Sequence, residues 1–449
     1  MENNLGRDDI KQLVWRIALP SMLAQFVSVL YSIVDRMYIG HIPGIGDLAL
    51  AGVGVCGPVL TMIGSVASLV GVGGAPRMSI CMGEGDDKSA RAILANCFML
   101  IIGFSLALIA VMIPLREPML RLFGASEQTL PFASEYFWVY MTGTVFALLA
   151  TGLNSFVVAQ GYARKAMASV VLGAVLNILL DPLFIFTLGM NVKGAALATV
   201  LSQMASCAYV LHFLLGRQAQ IPITFTGYSK KVVQAVLSLG FTPFAIIAVD
   251  NVMIIAMNAV LKQYGGARGD MLITCATIVQ SFMLVVTMPL GGISAGTQAI
   301  LAYNYGARKT QRVLDAQRRI FGLCIGYTFI MFVLANVAGP MFVRLFTTDV
   351  ALAEKATWAI RVCTIALVPL GVQYEVIDGF TAVGQVRYAL PLSFWRKLVY
   401  FVALFILPAA FGAEAAFYAE PISDVLGPLG SAVIHALAMK KILERREMA

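Results

Sequence analysis

Twelve separate runs of about 20 apolar residues dominate this chain, and each is long enough to cross the hydrocarbon core of a bilayer. They cover roughly 14–39, 50–80, 92–113, 132–158, 168–190, 194–215, 235–261, 270–302, 320–343, 356–383, 391–412 and 414–438. In lipid a backbone must satisfy its own polar groups, so such runs fold as helices. The sequence therefore predicts an all-α polytopic membrane protein of twelve transmembrane helices. With 59% hydrophobic and only 12% charged residues in 449, it excludes a secreted enzyme, a disordered scaffold and a nucleic-acid binder. The seven cysteines fall singly inside apolar stretches, with no C-x-x-C pair, and read as small buried hydrophobes.

The formal net charge of +8 has a topological reading. With a cytoplasmic N-terminus, 23 of the 32 basic residues fall on the inner side, clustered at Arg7–Arg16, Arg77–Arg91, Arg164–Lys165, Arg217–Lys231, Arg308–Arg319, Arg387–Lys397 and Lys440–Arg446. The positive-inside bias then places both termini in the cytoplasm and requires an even number of spans.

The halves repeat. Pro20 superposes on Pro243 at an offset of 223, Gly85/Lys88/Arg91 on Gly306/Lys309/Arg312 at 221, and Gly161/Arg164 on Gly384/Arg387 at 223. Six spans per half give both halves the same topology, as in the parallel repeats of many secondary transporters. The expected organisation is an N-terminal lobe at 1–215, a polar cytoplasmic linker at 216–231 and a C-terminal lobe at 232–449.

Ionisable residues at membrane depth are costly and mark pathways or ion sites. Here they are Asp35, Asp181, Asp250, Glu375, Asp378, Glu420 and Asp424. Asn177 and Asp181 stand at i,i+4 on one helix face, with Pro182 loosening the backbone after them and Thr199 on the next span. With Asp35 they supply only hard oxygen donors, a set suited to Na⁺ or a shared proton. A hydrogen-bonded packing cluster is the alternative, but two buried carboxylates need compensation and Arg36, at i+1 from Asp35, points elsewhere. Across the repeat Asp35 matches Asn258, so the set exists once. In the second half Asp250, Glu375, Asp378, Asn251, Gln280 and Met288 are candidates for lining the substrate passage or holding a second ion; pairing with Arg396 or Lys397 is the structural alternative. The intramembrane charges read as mainly acidic, which favours cationic substrates.

Other patterns are set aside. Gly52-x-Gly54-x-x-Gly57 spells a dinucleotide fingerprint without a preceding strand, and reads as helix packing, as do Gly292-x-x-x-Gly296 and Gly322-x-x-x-Gly326. Gly44-Ile45-Gly46-Asp47 imitates the motif of intramembrane aspartyl proteases, but their second motif is missing.

The segments PSMLAQFVSVLYSIVDRMYIG (20–40), QGYARKAMASVVLGAVLNILLDPLFIFTLGMNVKGAALATVLSQ (160–203) and YEVIDGFTAVGQVRYALPLSFWR (374–396) resemble the multidrug and toxic compound extrusion (MATE) family, in its MepA-like bacterial branch, over essentially the whole chain. The resemblance implies two pseudo-symmetric six-helix lobes in a V, a cation site at Asp35, Asn177, Asp181 and Thr199, and Tyr136 and Asn154 in its hydrogen-bond network. It also implies a secondary antiporter of the bacterial inner membrane, exporting amphipathic, cationic drugs or toxins in exchange for Na⁺ or H⁺ and contributing to antibiotic resistance. No enzyme activity, cofactor, metal beyond a coupling Na⁺, or nucleic-acid partner is expected; the partners are small organic cations and membrane lipids, and the protein is expected to be a monomer. The alternatives are a lipid-linked saccharide flippase of related architecture and, less favoured, an intramembrane aspartyl protease.

Overall fold

Each apolar run closes its backbone hydrogen bonds within itself, and a computed structural model describes the result for residues 4–448: helices throughout, with no strand among the described residues. The first half forms α1 (Ile10–Gly40), α2 (Gly46–Glu84), α3 (Asp87–Met112), α4 (Arg116–Leu122), α5 (Leu130–Thr142), α6 (Thr144–Ala159), α7 (Ala163–Pro182) and α8 (Asn191–Leu215). The second forms α9 (Lys230–Gly265), α10 (Gly269–Gly306), α11 (Thr310–Val343), α12 (Val350–Thr364), α13 (Leu367–Ala382), α14 (Val386–Phe411) and α15 (Ala419–Met448).

Among the described residues nine continuous helical stretches are long and apolar enough to span a bilayer. The longest, Lys230–Gly306, is the antiparallel pair α9 and α10, which fold back at Gly266, where φ is +53°. Two further spans are bent, α5 with α6 by 58° at Gly143 and α12 with α13 by 49°. Together these make the twelve crossings read from the sequence. The bends fall at the fourth span of each half, so the repeat extends to the breaks. The short α4 occupies what reads as loop. Helix starts are capped locally: Asp86 accepts from the Ser89 N–H at 3.0 Å, and the Ser89 hydroxyl and N–H hold its carboxyl below the ordinary range.

The lobes meet through the antiparallel helix pairs α1 with α10 and α2 with α9, and where α2 also packs on α10. Small residues allow the approach: a Cβ on Gly240 would lie 1.7 Å from the Leu69 carbonyl oxygen, and one on Gly83 would lie 2.0 Å from that of Tyr303. Gly292 and Gly296 press on Ser21 in the same way, whereas Gly322, Gly326, Gly54 and Gly57 face open space, so those repeated glycines are not packing surfaces. A glycine spacing marks a helix face, and only the fold decides whether a neighbour covers it.

These contacts gather at the end of the bundle that carries the termini. There the segment before α1 is clasped by the second lobe: Asn304 donates to the Leu5 carbonyl at 2.9 Å, Lys309 to that of Gly6 at 2.8 Å, and Arg312 to that of Asp8 at 2.9 Å. Arg446 pairs with Glu84 across the lobes. Leu13, Val14, Ile17 and Ala18 accordingly belong to the apolar core of the second lobe. The linker is held by the first lobe, where Asn96 bonds both Gly227 and Ser229, and Gln160 bonds Ile221 twice. Farther from that end, the inter-lobe hydrogen bonds among the described residues reduce to Asn251 on the Met62 sulfur.

Candidate functional site

Asp35 lies in the last third of α1, and Asp181 ends α7, where Pro182 withdraws a backbone donor and the next turn, Leu183–Thr187, widens into a π-helix. Thr199 sits on α8, which packs against α7. All four sequence-selected residues converge: Asp35 is 9% exposed, Asn177 2%, Asp181 0% and Thr199 8%. Asn177 Nδ2 is 3.4 Å from both Asp181 Oδ1 and Thr199 Oγ1. Thr199 spends its proton on the Ala195 carbonyl at 3.0 Å, which leaves its oxygen as an acceptor toward the cluster. The Asp35 and Asp181 carboxyls lie within hydrogen-bonding reach of each other.

Three oxygens in this cluster, Asp35 Oδ1, Asn177 Oδ1 and Asp181 Oδ2, are buried without a hydrogen-bond partner. Each unsatisfied acceptor costs about 1–3 kcal/mol, and more for a charged one. Among the described residues no Lys or Arg pairs with either carboxylate, and Arg36 is exposed. A knot in which acceptors outnumber donors is chemically fitted to a cation or a proton.

Tyr136 is 5% exposed, and its hydroxyl meets that of Thr199. Asn154 is set apart, accepting a 3.4 Å hydrogen bond from Ser169. Three neighbours escaped the sequence reading: Tyr140, stacked on Tyr136 with centroids 6.2 Å apart; Gln203, whose side chain meets the Tyr140 hydroxyl and keeps an unpartnered Oε1; and Tyr31, near Asp35 and Tyr140. Gln203 was readable, since it stands one helical turn after Thr199.

The second lobe is arranged differently. Asp250 pairs with Lys397, and Arg396 pairs with Asp424 and, at 3.6 Å, with Glu420. Asp378 accepts from Ser294 and sits beside Gln298. Glu375 is fully buried with both oxygens unpartnered, beside Gln317, whose amide is also unsatisfied. Glu375 is thus inside the lobe rather than on its wall. Asn251 donates to the Ile247 carbonyl at 2.9 Å, Gln280 is half-buried and Met288 is 38% exposed, four residues before Gly292 on α10. Two bases on α14 offset part of the acidic charge here, meeting Asp250 of α9 and Glu420 and Asp424 of α15, while the intramembrane acids still outnumber them.

The family and the relatives that this architecture matches are those of membrane transporters, not enzymes. The MatE family model matches residues 20–183 and 247–406, and the chain belongs to that family. It is 26% identical over 435 residues to the multidrug export protein MepA of Staphylococcus aureus strain MRSA252, covering 95% of this chain and 94% of that one. To the MepA of Staphylococcus haemolyticus it is 24% identical over 444 residues, covering 98% and 96%. Among solved structures, an outward-facing MATE family multidrug resistance transporter superposes with a TM-score of 0.91 at 22% identity, over 98% of each chain. A transporter from Pyrococcus furiosus whose binding pocket has reversed polarity superposes at 0.90 with 23% identity, over 98% of each. These likenesses show the fold, two six-helix lobes in a V.

Proposed function

We propose that this protein is a multidrug exporter of the bacterial inner membrane that exchanges amphipathic organic compounds for Na⁺ or H⁺, with the coupling cation held by Asp35, Asn177, Asp181 and Thr199. The observation that carries the reading is the trio of unpartnered oxygens contributed by α1 and α7, buried with no Lys or Arg paired to them among the described residues. The similarity to MepA proteins, named for multidrug export, supports the substrate class.

The mechanism follows from differential stabilisation. With both termini cytoplasmic, as the basic-residue asymmetry favours, the lobes close on the cytoplasmic side and the V opens outward. A cation entering the first-lobe cluster removes the electrostatic cost of its two carboxylates and draws α1 and α7 together. Because the π-turn and Pro182 leave α7 deformable at that point, cation occupancy biases a different lobe arrangement from drug occupancy. Drug leaves outward as the cation binds, and the empty transporter resets after the cation is released inward.

Proteoliposomes with an imposed Na⁺ gradient and then an imposed pH gradient test this directly: one of the two should drive export of a fluorescent organic cation. Export indifferent to both gradients would overturn the antiport reading. Reporter fusions after Lys231 and at the C-terminus should both report cytoplasm.

A further inference from the structure

The charge cluster in the second lobe has the composition of a recognition site. Asp250 lies near the middle of α9 and Lys397 near the middle of α14, well within membrane depth. The two ends of the pair differ: the Asp250 side chain is 46% exposed, the Lys397 side chain only 7%. A half-open carboxylate at that depth must look into water rather than acyl chains. Asn251, the next residue and about 100° further round the helix, touches Met62 of the first lobe, so Asp250 lies at the level where the two lobes approach each other.

We propose that Asp250 and Lys397 form an exchange site for the two charges of a zwitterionic substrate, the cationic group taking Asp250 and the anionic group taking Lys397. A substrate with only a positive charge would have to pull Asp250 from its partner and leave a nearly buried ammonium unpaired, which is a strongly unfavourable result. Among the described residues Lys397 meets no second carboxylate within 4.0 Å, and Arg396 already occupies Asp424 and Glu420. A zwitterion replaces one ion pair by two and strands no charge. Arg396 also repels Lys397, one residue away, which raises the benefit of an incoming anion.

This inference rests on the drug-export reading above. The test uses the purified full-length protein and two probes, a zwitterionic rhodamine with a free carboxylate and its ethyl ester, which keeps the cation and lacks the anion. Fluorescence polarisation should show the free acid binding about tenfold more tightly than the ester, the scale expected for leaving one charge without its partner. Lys397→Met should abolish or reverse that preference by strengthening ester binding. The double variant Asp250→Asn/Lys397→Met, which removes both charges together, should bind the two dyes equally and guards against a misfolded single variant. Equal binding of acid and ester by the wild-type protein, or a ratio unchanged in Lys397→Met, would overturn the exchange site while leaving drug export intact. Failure of both dyes to bind the wild-type protein would overturn the export reading and the exchange site with it.

Discussion

The two lobes share a scaffold down to the bend in the fourth span, yet the second sets bases beside some of its acids, though not beside Glu375 or Asp378, where the first sets none among the described residues. In the first, Asp35 and Asp181 face each other with three oxygens unsatisfied across the cluster and, among the described residues, no Lys or Arg paired with either carboxylate. In the second, Asp250, Glu420 and Asp424 each meet Arg396 or Lys397. At the position matching Asp35 stands Asn258, also with an unpartnered oxygen but without charge. A repeated backbone therefore specifies where a polar group can be buried, while the choice between carboxylate, amide and ion pair decides what the lobe does with it. Uncompensated acids make a site that a cation can switch; compensated ones hold a fixed pattern of charge.

The sharpest way to break this contrast is Asp35→Asn or Asp181→Asn. Each should lower gradient-driven efflux by about 100-fold, near the upper range of a coupling free energy between sites, while equilibrium drug binding survives. Asn258→Asp should not rescue Asp35→Asn, since the second lobe lacks the Asn177 and Asp181 partners. Wild-type efflux by Asp35→Asn would sink the first-lobe site.

Next in size is the closure contact. A methyl at Gly240 collides with the Leu69 carbonyl, an overpacking cost of about 1–3 kcal/mol that bears only on the arrangement in which the lobes touch at the terminal end. Spin labels at the exposed Leu122 and Leu345, one on each lobe at the opposite end, should report a new distance population in Gly240→Ala. An unchanged distribution would mean that this contact does not set the resting state.

A smaller effect separates Na⁺ from H⁺. Removing one neutral oxygen ligand by Thr199→Ala or Asn177→Ala should raise the half-saturating Na⁺ concentration about fivefold if Na⁺ is bound, the worth of roughly one hydrogen bond. If H⁺ is the coupling ion, Thr199→Ala should leave transport nearly untouched beside the loss in Asp35→Asn, because a proton needs the carboxyl alone.

The smallest expected change lies outside both sites. Because Asp86 has its carboxyl held below the ordinary range by Ser89, its cap is in force above the unfolded value and is lost as pH falls through the folded one. Asp86→Ala should lower Tm by no more than about 2 °C at neutral pH, and the difference from wild type should vanish in acid.

The sequence by itself determined the twelve spans, their even number and the four oxygen-bearing residues of the first-lobe cluster, for a physical reason: lipid penalises every unpaired polar group, so hydropathy alone marks the helices. A carboxylate inside a span is so costly that it announces itself. It also disclosed Asp250 and Glu375 as unusual, but not their fates. Whether an acid meets a base depends on which helices pack together, and Lys397 reaches Asp250 from 147 residues away along the chain. Glu375 and Asp378, three residues apart, end in different surroundings, one unpartnered within the lobe and one bonded to Ser294. Likewise Gly292 and Gly322 carry the same spacing signal, yet only the first is covered, because contact between helices is a property of their relative placement and leaves no local trace in either sequence.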